Sequence, residues 1–370
     1  MSEATLTLTF RDALDGGRVD PGVIGDIEFD PPPLAGAAPS PFVVERGASY
    51  TVTVTPRRGL YLPTSFRLEL PEGDDAPRVE VSLTRRTTVL YVTIDAQPDL
   101  GHAPNLEGLR AAAGAAQMGL EVHQVWYGDL LDRSAADFDA EGTFLFFFSG
   151  SYTEWQESGR DPAWRDLLDR LSALMRDTDV PALAVCGSHQ LLARAFGNDW
   201  HAVAHMGGAR APAPIANELA TSPPRNLIPS PRPGEFGTFP LRLTGEGERD
   251  PLFVGLGGRP LLFTESHSDE VVDEARSSLF VDLLEPDHTT DPLTLEGHPA
   301  TARCKVQALR YVGPQRRLLY SLQFHPELFL HPSFTGARRA RAQELGTDGL
   351  QLLINLFEAA RAFWEAGPES

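Results

Sequence analysis

Two short stretches of this 370-residue chain hold the residue types of a nucleophilic acyl-transfer centre. In Ala182-Leu183-Ala184-Val185-Cys186-Gly187-Ser188-His189-Gln190-Leu191-Leu192 an apolar run ends at a cysteine and passes through small residues into an amphipathic run. That pattern predicts strand, sharp turn and helix with Cys186 at the bend, where the backbone turns the thiol outward and the helix N-terminus favours a thiolate. In Leu319-Tyr320-Ser321-Leu322-Gln323-Phe324-His325-Pro326-Glu327 a second apolar run ends at a histidine, with a carboxylate two positions on. An extended backbone there would put both side chains on one side, so that Glu327 holds the imidazole of His325 while the ring faces elsewhere. The set is a nucleophile, a base and an orienter. The imidazole takes the thiol proton, the thiolate attacks a carbonyl, and water activated by the same ring releases the acyl group.

These residues resemble the class I glutamine amidotransferase superfamily, whose members carry Gly-x-Cys-x-Gly-His-Gln at the elbow and Phe-His-Pro-Glu near the C-terminus. Phe324-His325-Pro326-Glu327 matches the second signature in full, and Ala184 to Gln190 departs from the first at both flanking glycines, which are Ala184 and Ser188 here. Both substitutes are small, as a close strand-helix packing requires. Three further stretches fit the family in the same order. Phe146-Phe147-Phe148-Ser149-Gly150-Ser151 resembles its oxyanion loop, so the resemblance makes Gly150 and Gly187 the backbone donors. Thr264 to Val271 looks like its Ser-His-x-Asp segment, which gives Ser268 and Asp269 a role in holding the substrate's amino-acid end, and Gln190 looks like a further substrate contact. Asp250-Pro251-Leu252-Phe253-Val254-Gly255-Leu256 resembles a family segment where no chemistry is expected.

The resemblance implies an α/β fold, a three-layer and mostly parallel flavodoxin-like sheet, and a cysteine-dependent amidohydrolase that cleaves glutamine or a γ-glutamyl amide through a Cys186 thioester. It implies a small-molecule substrate and, in the amidotransferase form, a separate ammonia-accepting synthase, since no synthetase or ATP-binding domain is visible in this chain. The alternatives are a free-standing γ-glutamyl peptide hydrolase and a catalytically silent binding or regulatory protein of the same fold. No cofactor is implied.

The elements that must position this chemistry can be read from periodicity. Residues 1–86 contain alternating runs, among them Thr5 to Phe10, Ser49 to Val54 and Ser65 to Leu70, bounded by Gly and Pro clusters. They read as antiparallel strands of a small β-sandwich, immunoglobulin-like in the loose sense, with Asp30 to Pro41 as a loop inside it. From residue 87 to 370 the texture becomes strand then helix, with strands at Thr88 to Ile94, Glu121 to Trp126 and Thr143 to Phe148, a helix opened by Asn105 as its cap, and another over Pro162 to Arg176. Such alternation implies a parallel sheet covered on both faces, whose sites lie at the carboxyl ends of the strands, where Gly150 and Cys186 fall. A long amphipathic helix from Arg338 to Ala366 should pack on the sheet, and the Pro- and Ser-rich stretch from Ala209 to Pro233 reads as loop.

Composition sets the bounds. With 51 acidic residues against 32 basic ones the net charge is −19, which argues against an interface for nucleic acid or an anionic membrane. The N-terminus lacks the basic region and apolar core of a signal peptide and no apolar run reaches membrane-spanning length, so a cytoplasmic location is expected. Two cysteines, Cys186 and Cys304, do not make a disulfide framework. There is no internal repeat, metal-ligand spacing or phosphate-binding glycine loop, and His201, His205 and His331 read as structural or surface groups.

Overall fold

The structure, a computed structural model, describes residues 3–36, 41–56, 59–70, 76–95, 102–134, 137–138, 141–151, 162–197, 203–206, 227–230, 235–267, 269–271, 278–287, 293–294, 304–330 and 337–367. The chain divides into two compact units, Met1–Thr87 with Ala136–Thr143 and Arg361–Ser370, and Thr88–Ala135 with Phe144–Ala360.

The first unit is built from β1 (Glu3–Asp12), β2 (Ile24–Asp30), β3 (Ala35–Gly36), β4 (Phe42–Glu45), β5 (Ser49–Pro56), β6 (Thr64–Glu69) and β7 (Arg78–Leu83). They form two sheets, in the orders β3-β4-β1-β7 and β2-β5-β6. The period-two pattern puts Leu6, Leu8 and Phe10 of β1 and Tyr50, Val52 and Val54 of β5 into one core, and Phe29 of one sheet meets Phe42 of the other at 4.8 Å between ring centres. The expectation of antiparallel strands is corrected at one pair: β1 runs antiparallel to β4 but parallel to β7. Alternating burial is the same for either direction, so the sequence pattern could not tell them apart. The two late segments of this unit lie beyond the expected boundary at residue 86. One reason is Trp364, which packs on Gly59, where a Cβ would come within 2.5 Å of the indole, while the Arg86 guanidinium lies 4.5 Å from the indole centre.

The strands of the second unit are β8 (Thr88–Thr93), β9 (Glu121–Trp126), β10 (Thr143–Phe148), β11 (Ala182–Val185), β12 (Val203–Met206), β13 (Leu227–Ser230), β14 (Glu235–Leu243), β15 (Leu261–His267), β16 (Asp269–Val271), β17 (Phe280–Pro286), β18 (Leu293–Thr294), β19 (Ala308–Tyr311) and β20 (Leu319–Leu322). Its helices are α1 (Ala103–Ala115), α2 (Tyr127–Leu130), α3 (Pro162–Asp177), α4 (Gly187–Gly197) and α5 (Ala337–Ala366). Among the described residues the main sheet has the order β15-β14-β17-β19-β20-β11-β10-β8-β9, with β18 on β14, and β13-β12-β16 form a small sheet. The β8–β9, β10–β11 and β11–β20 pairs are parallel. Beyond β20 the sheet is antiparallel, through β19, β17, β14 and β15. In the parallel half β10, β11 and β20 are buried along their whole length, as strands covered on both faces must be. Helix α5 presents Leu352, Leu353, Leu356, Phe357 and Ala360 as one buried stripe, and its Asn355 Nδ2 donates to the carbonyls of Leu252 and Val254 at 3.0 and 2.9 Å.

Three local expectations change, the first being that Ala35–Gly36, inside the stretch expected as loop from Asp30 to Pro41, is a short strand pairing antiparallel with β4. Asn105 does not cap α1: the helix starts at Ala103, its cap position is His102 with no side-chain cap bond, and Asn105 lies in the first turn. In the stretch expected as loop, Leu227–Ser230 is a strand pairing parallel with β12, and residues 209–226 and 231–233 lie outside the described residues, as do His201 and His331. Among the described residues no helix is long and apolar enough to cross a membrane.

Candidate active site

Strand β11 lies between β10 and β20, with Ala184 opposite Phe148 on one side and Ser321 on the other. Cys186 is the single residue between this strand and α4. Its N–H still donates to the Leu322 carbonyl at 2.8 Å, while its own carbonyl accepts the first helical bond from Gln190 N at 3.1 Å. Doing both forces φ to +50°, a left-handed conformation that residues other than glycine rarely adopt. The N–H groups of Gly187, Ser188 and His189 precede that first helical bond, so the helix itself does not satisfy them, and the positive end of its dipole lies beside the thiol. The sulfur is 3.6 Å from the carbonyl oxygen of Ser266, an exposed residue of β15.

His325 follows β20, the strand next to β11. Its N–H donates to the Thr264 carbonyl at 2.8 Å, and Phe324 stacks on Phe263 at 4.1 Å, so β15 fixes the backbone just where the imidazole leaves it. The Nδ1 of His325 is 2.9 Å from Oε1 of Glu327, and the ring and Cys186 both come against Gly150: the place a Cβ on Gly150 would take lies 3.4 Å from Nε2 of His325 and 3.3 Å from Cβ of Cys186. The predicted partnership is therefore present, but its backbone differs from the expected extended one. Pro326–Leu330 is a 3₁₀ turn, which Pro326 can open because it has no N–H to satisfy, and Glu327 reaches His325 across the start of that turn.

Glu327 is fully buried, and a buried carboxylate must be compensated. Its Oε1 accepts a second hydrogen bond, from Asn105 Nδ2 of α1 at 2.8 Å, while Oε2 has no hydrogen-bond partner among the described residues. Gly108, one turn along the same face of α1, lets the helix approach: a Cβ there would lie 1.8 Å from the Glu327 carbonyl oxygen. Gly349 of α5 does the same on the other flank, where a Cβ would come within 2.3 Å of the Pro326 carbonyl oxygen. Asn105, Gly108 and Gly349 are the residues that sequence reasoning missed as parts of the site. The cue in the sequence was a polar residue inside a helix turn whose neighbours are apolar.

Two histidines near the thiol are tuned in opposite directions. Burial works against charge on His325, but the Glu327 carboxylate and then Cys186 outweigh it and carry its pKa up to about 10. His189, next but two after Cys186 and bonded through Nδ1 to the Ser321 hydroxyl, is pushed down to about 3 by burial and by the charge of His267. At neutral pH His325 is thus a cation beside sulfur and His189 is neutral. Only the first can supply a proton to a leaving group and take it back.

The loop after β10 reaches the same place. A Cβ on Gly150 would lie 2.7 Å from Cε1 and 3.4 Å from Nε2 of His325, and 3.3 Å from Cβ of Cys186, so this position admits no side chain. A Cβ on Gly187 would come within 2.9 Å of the Ser151 nitrogen. The structure thus brings together five predicted residues: Cys186, His325, Glu327, Gly150 and Gly187. Gln190 is buried and donates from Nε2 to the Asp269 carbonyl at 2.7 Å, so it braces the segment that carries Asp269. The Asp269 carbonyl also lies 2.9 Å from His267 Nδ1. Ser268 lies outside the described residues. No group of three or more metal-binding side chains occurs among the described residues.

No protein-family model matches the chain, and no curated protein does. Solved structures similar to it include a glutamine amidotransferase from Thermotoga maritima, at 14% identity and a TM-score of 0.46 over 75% of this chain and 98% of that one. The glutaminase domain of Trypanosoma brucei CTPS, with acivicin bound, is 14% identical at a TM-score of 0.46 over 75% of this chain and 94% of that one. A glutamine amido transferase from Methylobacillus flagellatus is 16% identical at a TM-score of 0.42 over 74% of this chain and 94% of that one.

Proposed function

We propose that this chain is a cysteine amidohydrolase of the glutamine amidotransferase type, acting on the γ-amide of glutamine or of a γ-glutamyl compound. The observation that carries the reading is the His325–Glu327 pair at 2.9 Å, with the His325 ring and Cys186 both against Gly150, at the ends of two adjacent parallel strands. Cys186 Sγ attacks the amide carbon, and the carbonyl electrons move onto oxygen, which the N–H groups of Gly150 and Gly187 stabilise. Collapse of the tetrahedral adduct breaks the C–N bond, and His325 gives its Nε2 proton to the departing amine. Water then loses a proton to Nε2 as it attacks the thioester, and expulsion of the Cys186 sulfur releases the acid with the imidazolium restored. Throughout, Glu327 keeps the ring turned and balances its charge. Ammonia set free in this way would serve a separate synthase; if water alone is the physiological acceptor, the chain is a free-standing hydrolase.

The test is release of ammonia from glutamine and of p-nitroaniline from γ-glutamyl-p-nitroanilide, with intact-mass detection of the acyl-enzyme. Wild type should turn over at least one of the two compounds, and Cys186→Ala neither. Equal release by wild type and Cys186→Ala would refute the reading and favour a binding protein.

A further inference from the structure

Ser188 stands where the resembling family carries glycine, and its side chain makes a bond that glycine cannot. The residue is fully buried, and its hydroxyl donates to the Ser149 carbonyl at 2.5 Å. That carbonyl belongs to the peptide whose nitrogen is Gly150. The peptide is trans, so its C=O and N–H point in opposite directions, and holding the oxygen fixes where the Gly150 N–H points. Gly150 needs such help, because a residue without Cβ restrains its own backbone least. Other bonds steady the flanks. Ser149 Oγ donates to the Gly150 carbonyl at 2.7 Å, and Ser151 Oγ donates to Oδ1 of the buried Asp95 at 3.0 Å, whose Oδ2 is 2.5 Å from His102 Nε2. Neither acts on the peptide plane that presents the donor.

We propose that Ser188 is the positioning residue of the oxyanion site: its hydroxyl locks the Ser149–Gly150 peptide with the Gly150 N–H held for the developing negative oxygen before any substrate arrives. The proposal rests on the amidohydrolase reading above. An oriented donor stabilises the transition state without reorganising at the moment of reaction, and loss of one oxyanion donor costs about 10²–10³ in kcat. Releasing the peptide without deleting the donor should cost part of that.

The experiment compares Ser188→Ala and Ser188→Cys with wild type in three assays. In the amide assays Ser188→Ala should lose about ten-fold or more in kcat with KM changed by less than about two-fold, and Ser188→Cys, which keeps the size and a weak donor, should fall between. Alkylation of Cys186 by iodoacetamide creates no oxyanion, so its rate should stay within about two-fold of wild type in both variants. A crystal structure of Ser188→Ala should show the Ser149–Gly150 peptide rotated or in more than one orientation. An unchanged kcat, a loss of alkylation in step with kcat, or a peptide plane that does not move would each overturn the proposal. A wild type inert toward both amides would instead overturn the amidohydrolase reading, and the crystallographic result then decides the peptide-locking claim alone.

Discussion

Replacing Asn105 tests whether α1 is part of the catalytic relay or only a neighbour. Glu327 is buried and its Oε1 carries two hydrogen bonds, from His325 at 2.9 Å and Asn105 at 2.8 Å. A hydrogen bond to a buried charged group contributes about 1.5–3 kcal/mol, so Asn105→Ala should loosen the hold on the Glu327 carboxylate by about that much and let it turn from the ring. Because Glu327 is the first of the groups that hold the His325 proton against burial, the loss passes to the imidazolium. Its pKa of about 10 should fall by roughly one unit, drawing the alkaline limb of kcat down with it, and kcat/KM should fall about 10- to 30-fold. Asn105→Asp separates this account from the helix-cap role that the sequence suggests. Asp caps a helix about as well as Asn, so a cap would tolerate it. Here it puts a second carboxylate against Oε1, where the two cannot both ionise cheaply, and it should be worse than Ala although it is nearly isosteric. The assay is the pH profile of γ-glutamyl-p-nitroanilide hydrolysis, with thermal unfolding as the control for folding. An Asn105→Asp variant within about two-fold of wild type, or an alkaline limb that stays put in Asn105→Ala, would refute the relay.

Gly150→Ala should lose at least about 10² in kcat, since its methyl would sit 2.7 Å from the His325 ring and part the imidazole from the thiol; slower alkylation of Cys186 should accompany the loss. Gly108→Ala should reverse the usual sign: mid-helix Gly→Ala ordinarily stabilises by about 0.5–1 kcal/mol, but a methyl 1.8 Å from the Glu327 carbonyl should destabilise by about 1–3 kcal/mol in thermal or denaturant unfolding. The two histidines should act in separate pH windows. His189, held near 3 against an ordinary 6.5, contributes stability that is present above about pH 6.5 and lost as pH falls toward 3, up to roughly 5 kcal/mol; His189→Gln should flatten that acid limb. His325, raised to about 10, contributes stability that is present below about pH 6.5 and lost as pH rises through 10, and His325→Gln should flatten only the alkaline limb in urea titrations across pH.

The parallel half of the sheet was legible because burial on both faces leaves its mark directly on the sequence. Phe144–Phe148 and Ala182–Val185 are unbroken apolar runs that only a covered strand tolerates, and each ends at small residues. The antiparallel half was not legible. Leu261–His267 alternates buried positions with half-buried or exposed ones, Glu265 and His267 being among the buried, and such a strand reads from sequence as an ordinary surface-facing one. The late residues that join the N-terminal unit escaped for a related reason. Trp364 meets Gly59 and Arg86 across hundreds of positions, and no local period encodes such a contact.

In the site, the three residues named for the proposed reaction were legible and those that hold them in place were not. Cys186, His325 and Glu327 stand out by type together with the ordered resemblance of the stretches around them. Asn105 and Ser188 have commonplace side chains whose meaning lies in partners 222 and 39 residues away. Asn105 reads as a cap because Asn at a helix start ordinarily serves the helix's own N–H groups, whereas here a buried carboxylate outcompetes them. Ser188 reads as a departure from glycine, a matter of bulk, whereas what it adds is a donor. The same logic explains the glycines. Gly108 and Gly349 look like weak points in two helices, yet each is where a helix backbone comes against the His325–Glu327 turn, a demand that appears only once α1, α5 and that turn share one place.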